Sequence, residues 1–167
     1  MKIEAHGIRA ELPTGWEGRI TRRTSGAARA PRAADEGQPA GPSLGEDTGP
    51  VLHMANFALP EGRGDFGSGA VDVMGTGHLL VALVEYGADS AGTALFPTVS
   101  RVPTLTARMF DPNGLQRVNP GQAGAQRFFT LNGRAFCLYS VVGDKRDAPG
   151  LAGTANGVTA GIAVAAP

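Results

Sequence analysis

Three histidines, His6, His53 and His78, and one cysteine, Cys137, are the side chains best suited to metal ligation or nucleophilic chemistry. The histidines are far apart and form no HExxH arrangement, no second cysteine completes a CxxC, and no carboxylate pair lies at ligand spacing. A metal site would have to be assembled by the fold alone. Ser68 and Ser90 sit outside any G-x-S-x-G elbow, and no histidine and aspartate can be paired with them from spacing. Cys137 lies in RAFCLYS, where no adjacent cation faces it to lower its pKa, so it reads as a small buried hydrophobe. No catalytic residue, no metal and no cofactor is expected, and the balance leans against an enzyme.

Residues 62–67, GRGDFG, satisfy G-x-G-x-x-G, and Glu85 closes the next apolar run, which together outline a dinucleotide-binding fingerprint. That fingerprint needs its third glycine in the opening turns of a helix long enough to cross over and pack on a sheet. The following GSGAVDVMGTG is too short and too glycine-broken for that, so 60–77 reads as a loop with at most one helical turn at 70–74. The embedded Arg63-Gly64-Asp65 resembles integrin ligands, but without an export signal or disulfides it reads as coincidence. The remaining candidates are arginines. Arg22, Arg23, Arg29 and Arg32 cluster near the start of segment 24–50, and Arg127 is a lone charge on an apolar strand face. Arg101, Arg108, Arg117 and Arg134 fall in the same C-terminal region as Arg127 and would form an anion or acidic-protein docking surface if the fold gathers them.

The elements that must position these side chains are organised around residues 123–143. Two runs rich in aromatic and branched residues flank Asn132-Gly133, and Asn-Gly suits a two-residue type I′ turn. The pairing this turn imposes sets Leu131 against Arg134, Phe129 against Phe136, Arg127 against Leu138 and Ala125 against Ser140. One face then carries Phe129, Phe136, Leu138 and Val142, and the other Phe128, Cys137, Tyr139 and Val141. Both faces are apolar, so the hairpin belongs inside a sheet covered on both sides. Arg127 must either reach the rim or meet a carboxylate.

Earlier in the chain, 2–5 and 8–12 alternate as strands broken at His6-Gly7, a Pro13-Thr14-Gly15 turn follows, Trp16 plugs the core edge, and 17–23 reads as a return strand. Residues 24–50 hold one leucine, no aromatics, four prolines and five glycines, the composition of a disordered or extended inserted loop. Residues 51–59 alternate as a strand, and 78–87 is a continuous apolar run that suits a strand buried on both faces. A short helix capped at Asp89-Ser90, a strand at 103–110, a DPNG turn at 111–114, a glycine-weakened helix capped by Asp147, and an edge strand at 161–165 complete the expectation. The fold class is α+β: a mainly antiparallel sheet around the 123–143 hairpin, covered by a few short helices, in a single domain.

Composition narrows the function classes. Fifteen basic residues balance fifteen acidic ones and charged residues make up 18%, so no basic field points to nucleic acid. No window approaches a membrane span, and no apolar run near the N-terminus resembles a signal peptide, so a cytoplasmic location is expected. Only Lys2 and Lys145 are lysines, and heavy use of Arg, Ala, Gly and Pro suggests a high-GC bacterial genome.

The opening IRAELPTGW is similar to the start of PsbP/Mog1-like domains, in which a strand closes on a proline-glycine turn and an aromatic. The stretches HMANFALPEGRGDFGSGAV and QRFFTLNGRAFCLYSVVG resemble an uncharacterised small-protein family of high-GC Gram-positive bacteria. The first resemblance implies an antiparallel sheet sandwiched by helices and a role in protein binding; the second implies no site residues. The expected function is a non-enzymatic protein-binding or adaptor domain, a subunit of a larger bacterial assembly; the alternative is a small-ligand-binding or enzyme domain using the 60–77 glycine-rich loop. An obligate homo-oligomer is a further reading; it predicts an exposed apolar patch. If segment 24–50 is a docking arm, a partner that co-purifies with the whole chain is lost when those residues are deleted, and its retention counts against the arm.

Overall fold

The computed structural model describes residues 1–23 and 49–167. The segment expected to be a disordered or extended loop, 24–50, falls almost wholly outside them, as do Arg29 and Arg32. The elements in order are β1 (Lys2–Ala5), β2 (Ile8–Glu11), β3 (Glu17–Arg22), β4 (Pro50–Ala55), α1 (Ser68–Val71), β5 (Leu79–Glu85), β6 (Thr98–Val99), β7 (Ala123–Leu131), β8 (Arg134–Val142), α2 (Ala148–Thr159) and β9 (Ile162–Val164). They form a six-stranded sheet of order β3-β4-β5-β8-β7-β6 and a three-stranded sheet of order β1-β2-β9. Every pairing is antiparallel except the two-residue β6 against β7. The fold is α+β and mainly sheet.

The hairpin is built as its turn dictates. Asn132 and Gly133 take φ of 50° and 79°, and the register sets Leu131 against Arg134, Phe129 against Phe136 and Arg127 against Leu138. His6 and Gly7, with φ of 52° and 72°, make the same kind of turn between β1 and β2, where the sequence suggested only a break. Apolar alternation on β4, β5, β7 and β8 sends side chains to two separate cores. On one face Leu52, Met54, Val81, Leu83, Phe129, Phe136 and Leu138 meet Ile8 and Ala10 of β2, Ile162 and Val164 of β9, and Ala152, Ala155 and Val158 of α2. On the other, Val51, Leu80, Val84, Cys137, Tyr139 and Val141 lie under connecting segments that contribute Val71, Met74, Phe96 and Leu115. Cys137 is fully buried, and burial pushes its thiol up to about 12, where it stays protonated and inert.

Four local expectations are corrected by tertiary partners. Strand β3 does not return onto β2; the turn after Leu12 carries the chain into the larger sheet, where β3 becomes the edge strand beside β4. Gly18 permits this, since a Cβ there would come within 2.6 Å of Leu12 and 2.8 Å of Ile3. Residues 103–110 form no strand, because the side-chain amide of Asn156 takes both backbone groups of Leu105: its Oδ1 accepts from Leu105 N at 2.7 Å and its Nδ2 donates to Leu105 O at 2.8 Å. Asp89-Ser90 belongs only to a 3₁₀ turn, Ala88–Ser90, ended by Gly92, whose N–H donates to Thr130 Oγ1. Asp147 stands at the N-cap position of α2 but makes no side-chain cap bond; its carboxylate accepts from Gly77 N at 2.8 Å, and the preceding 3₁₀ turn is capped by Asp144, which accepts from Arg146 N at 2.9 Å.

Arg134 joins the two sheets. Its Nε and Nη2 donate to the two carboxylate oxygens of Glu85 at 2.8 and 2.7 Å, Nη2 also to His6 O at 3.1 Å, and Nη1 to Gly7 O at 3.2 Å and Ala165 O at 3.3 Å. Those five contacts match the five donors a guanidinium owns. Removing the cation would leave a largely buried carboxylate and three carbonyls facing one another. Arg134→Met is expected to cost about 3–5 kcal/mol, read by equilibrium urea unfolding; a loss below about 1 kcal/mol would mean that the joint behaves like an exposed ion pair.

Candidate functional site

The second face of the large sheet is covered by connections rather than by regular elements, and its surface features arise there. Residues 56–78 run from β4 to β5, which lie side by side and antiparallel. A parallel crossover for GRGDFG is therefore absent between these strands, and the helix that follows, α1, has only four residues. The polar groups of this loop turn inward. Arg63 donates to Pro60 O at 2.8 Å and to Glu61 O at 3.4 Å, and its Nε donates to His53 Nδ1 at 3.4 Å. His53 Nε2 lies 2.9 Å from Asp65 O; with Nδ1 accepting from Arg63, the imidazole carries its proton on Nε2. Burial first, and then the Arg63 charge, lower His53 to about 4. Burial likewise raises Asp65, against the pull of Arg23 at 3.8 Å.

Of the expected binding arginines, Arg29 and Arg32 lie outside the described residues, and Arg22, Arg23 and Arg127 stand apart from one another. Arg23 is buried at the base of segment 24–48, where Nε donates to Gly49 O at 3.4 Å and Nη2 donates to Glu85 O. Arg22 is exposed at the end of β3, and Arg127 is exposed on β7, four strand positions away across the sheet. Arg127 reaches the rim on the same side as Phe129 and Leu138. Arg117 is paired with Asp72 at 2.5 Å and Arg134 with Glu85, so these two add nothing to a common basic surface. The histidines stand apart as well: His6 in the first turn, His53 under the 60–67 loop, and His78 stacked on Phe57 with ring centroids 4.7 Å apart. Among the described residues no group of three or more His, Cys, Asp or Glu could hold a metal ion, and no helix is long and apolar enough to cross a membrane.

Two hollows remain. One, of about 370 Å³, lies where His6, Arg22, Glu85 and Arg134 meet, but the guanidinium of Arg134 is already fully engaged there. The other, of about 250 Å³, opens between α1 and the 115–119 segment. Gln122 holds these walls together by donating to Val71 O at 2.9 Å while accepting from Asn119 Nδ2 at 3.1 Å, and the Arg117–Asp72 pair bridges the rim. Phe66, Leu115 and Tyr139 line it with apolar surface, and Phe66 meets Tyr139 edge to face at 5.6 Å. The Tyr139 hydroxyl accepts from Gln116 N at 3.3 Å, and burial raises its pKa to about 12, so it remains a phenol. Sequence reading placed Tyr139 on this face without singling it out, and no local motif marks Leu115 or Phe66.

Comparison with protein-family models, curated proteins and solved structures finds no match to this chain. The expectations drawn from resemblance rest on the quoted residues alone.

The buried imidazole makes stability depend on pH. Folded His53 stays neutral down to about pH 4, whereas the unfolded side chain takes up a proton below its ordinary value of 6.5. The unfolded state therefore binds the extra proton, and this group's contribution falls as pH drops from 6.5 towards 4 and levels off below. The loss amounts to about 3 kcal/mol. Urea unfolding of the wild type and of His53→Gln across that window should show the variant's profile flatter by this amount; parallel profiles would place the imidazole in contact with solvent.

Proposed function

We propose that the chain is a non-enzymatic protein-binding or adaptor domain, acting as a subunit of a larger assembly, and that it docks through the face around the 250 Å³ cavity. The supporting observation is the company that cavity keeps. Of the four large hydrophobic side chains exposed among the described residues, Val73 at 59% and Val118 at 62% directly follow Asp72 and Arg117, the pair across its rim. Apolar side chains exposed beside an apolar pocket mark interaction sites. The cavity falls below the ~300–1,000 Å³ of pockets that enclose whole small molecules and suits one anchoring side chain of a partner.

A second reading, a small-ligand site built on the 60–77 loop, draws on the same place, since Phe66, Ser68 and Asp72 belong to that loop and line the cavity. The two readings differ in what must come close to Val118. A photoreactive amino acid placed at Val118 in the producing organism is expected to yield a discrete protein adduct, while the same probe at exposed Arg127 yields none. Adducts at both positions, or at neither, would sink the docking reading.

A further inference from the structure

Resting on that docking reading, we propose that the cavity is a receptor for a tyrosine side chain of the partner. Its size fits. An apolar cavity of about 150 Å³ takes a benzene ring, so 250 Å³ accommodates a ring bearing one polar substituent. Its lining fits as well. The Phe66 and Tyr139 rings already stand at 85° to each other, and an incoming aromatic ring extends that edge-to-face set.

The decisive feature is hydrogen bonding. Tyr139 is 1% exposed, and its hydroxyl accepts from Gln116 N but donates to no acceptor among the described residues. Its raised pKa keeps the proton on oxygen. The cavity thus offers one O–H donor without an acceptor among the described residues. It also offers an acceptor: half-buried Asn119 commits its Nδ2 to Gln122, while its Oδ1 accepts from no donor among the described residues. A phenol hydroxyl is both acceptor and donor, so it accepts a hydrogen bond from the Tyr139 hydroxyl and donates one to an amide oxygen. A phenylalanine ring fills the same space but strands the Tyr139 donor, and a site built to bond a hydroxyl discriminates against the analogue that lacks one.

The test titrates the full chain, followed by amide NMR, with acetyl-Gly-Tyr-Gly-amide, acetyl-Gly-Phe-Gly-amide and p-cresol. The tyrosine peptide and p-cresol are expected to compete for one site, shifting the amides of 71–73 and 115–119. The phenylalanine peptide should bind about 10-fold more weakly. Tyr139→Phe should abolish that preference while leaving phenylalanine binding in place; if the variant fails to fold, the wild-type ratio of the two peptides decides alone. Equal binding of the two peptides, no shift at those amides, or binding of p-cresol with exclusion of the tyrosine peptide would each overturn the proposal. A protein adduct at Val118 without tyrosine preference would reject the tyrosine receptor and leave the docking reading standing; absence of any adduct would reject both.

Discussion

One guanidinium holds the architecture in place. Arg134 touches the end of β5 through Glu85, the β1–β2 turn through His6 and Gly7, and the chain after β9 through Ala165. Apolar contacts between the two sheets are plentiful but non-directional, and by themselves they tolerate sliding. Five directed bonds from a planar fork fix the angle at which the small sheet sits on the large one. The arrangement is costly in desolvation and needs every donor matched, which is the condition under which a buried ion pair holds a specific geometry. Phe136, whose ring lies 5.4 Å from the guanidinium carbon, adds a cation–π contact from below.

The two faces of the large sheet are therefore unequal. The first is closed by α2 and the three-stranded sheet, whose alanines and branched side chains interlock with the strands. The second is closed by connections, and irregular backbone cannot tile a sheet as evenly as a helix does. A gap of about 250 Å³ is left over Tyr139, walled by segments that are held by Gln122 and by the Arg117–Asp72 pair. Connections are also where recognition residues are carried, here on a sheet whose opposite face is closed by a buried apolar core.

Charge is handled locally. With equal numbers of acidic and basic residues, the chain answers its arginines one at a time: Arg134 with Glu85, Arg23 with backbone carbonyls near Asp65, and Arg117 with Asp72. Among the described residues, arginines that are neighbours in sequence therefore do not gather into a basic patch. Arg22 and Arg23 are neighbours in the chain, yet strand alternation turns one to solvent and the other towards Gly49 O, Glu85 O and Asp65.

What was legible in the residues is what short-range physics controls. The Asn132-Gly133 turn, the register of the hairpin, the two-sided burial of 79–85 and the inertness of Cys137 follow from turn chemistry and a period of two, each confined to a few residues. The partner of β3, the non-strand path of 103–110, the joint at Arg134 and the cavity over Tyr139 were decided only by tertiary structure. Strand pairing at an edge carries no local signature, Leu105 is satisfied by a helix residue 51 positions away, and Arg134 reaches carbonyls 127 and 128 positions away. The alternation that put Tyr139 on a covered face was visible in the sequence; that its cover would leave a gap beside its hydroxyl depended on how loops from two distant parts of the chain met above it.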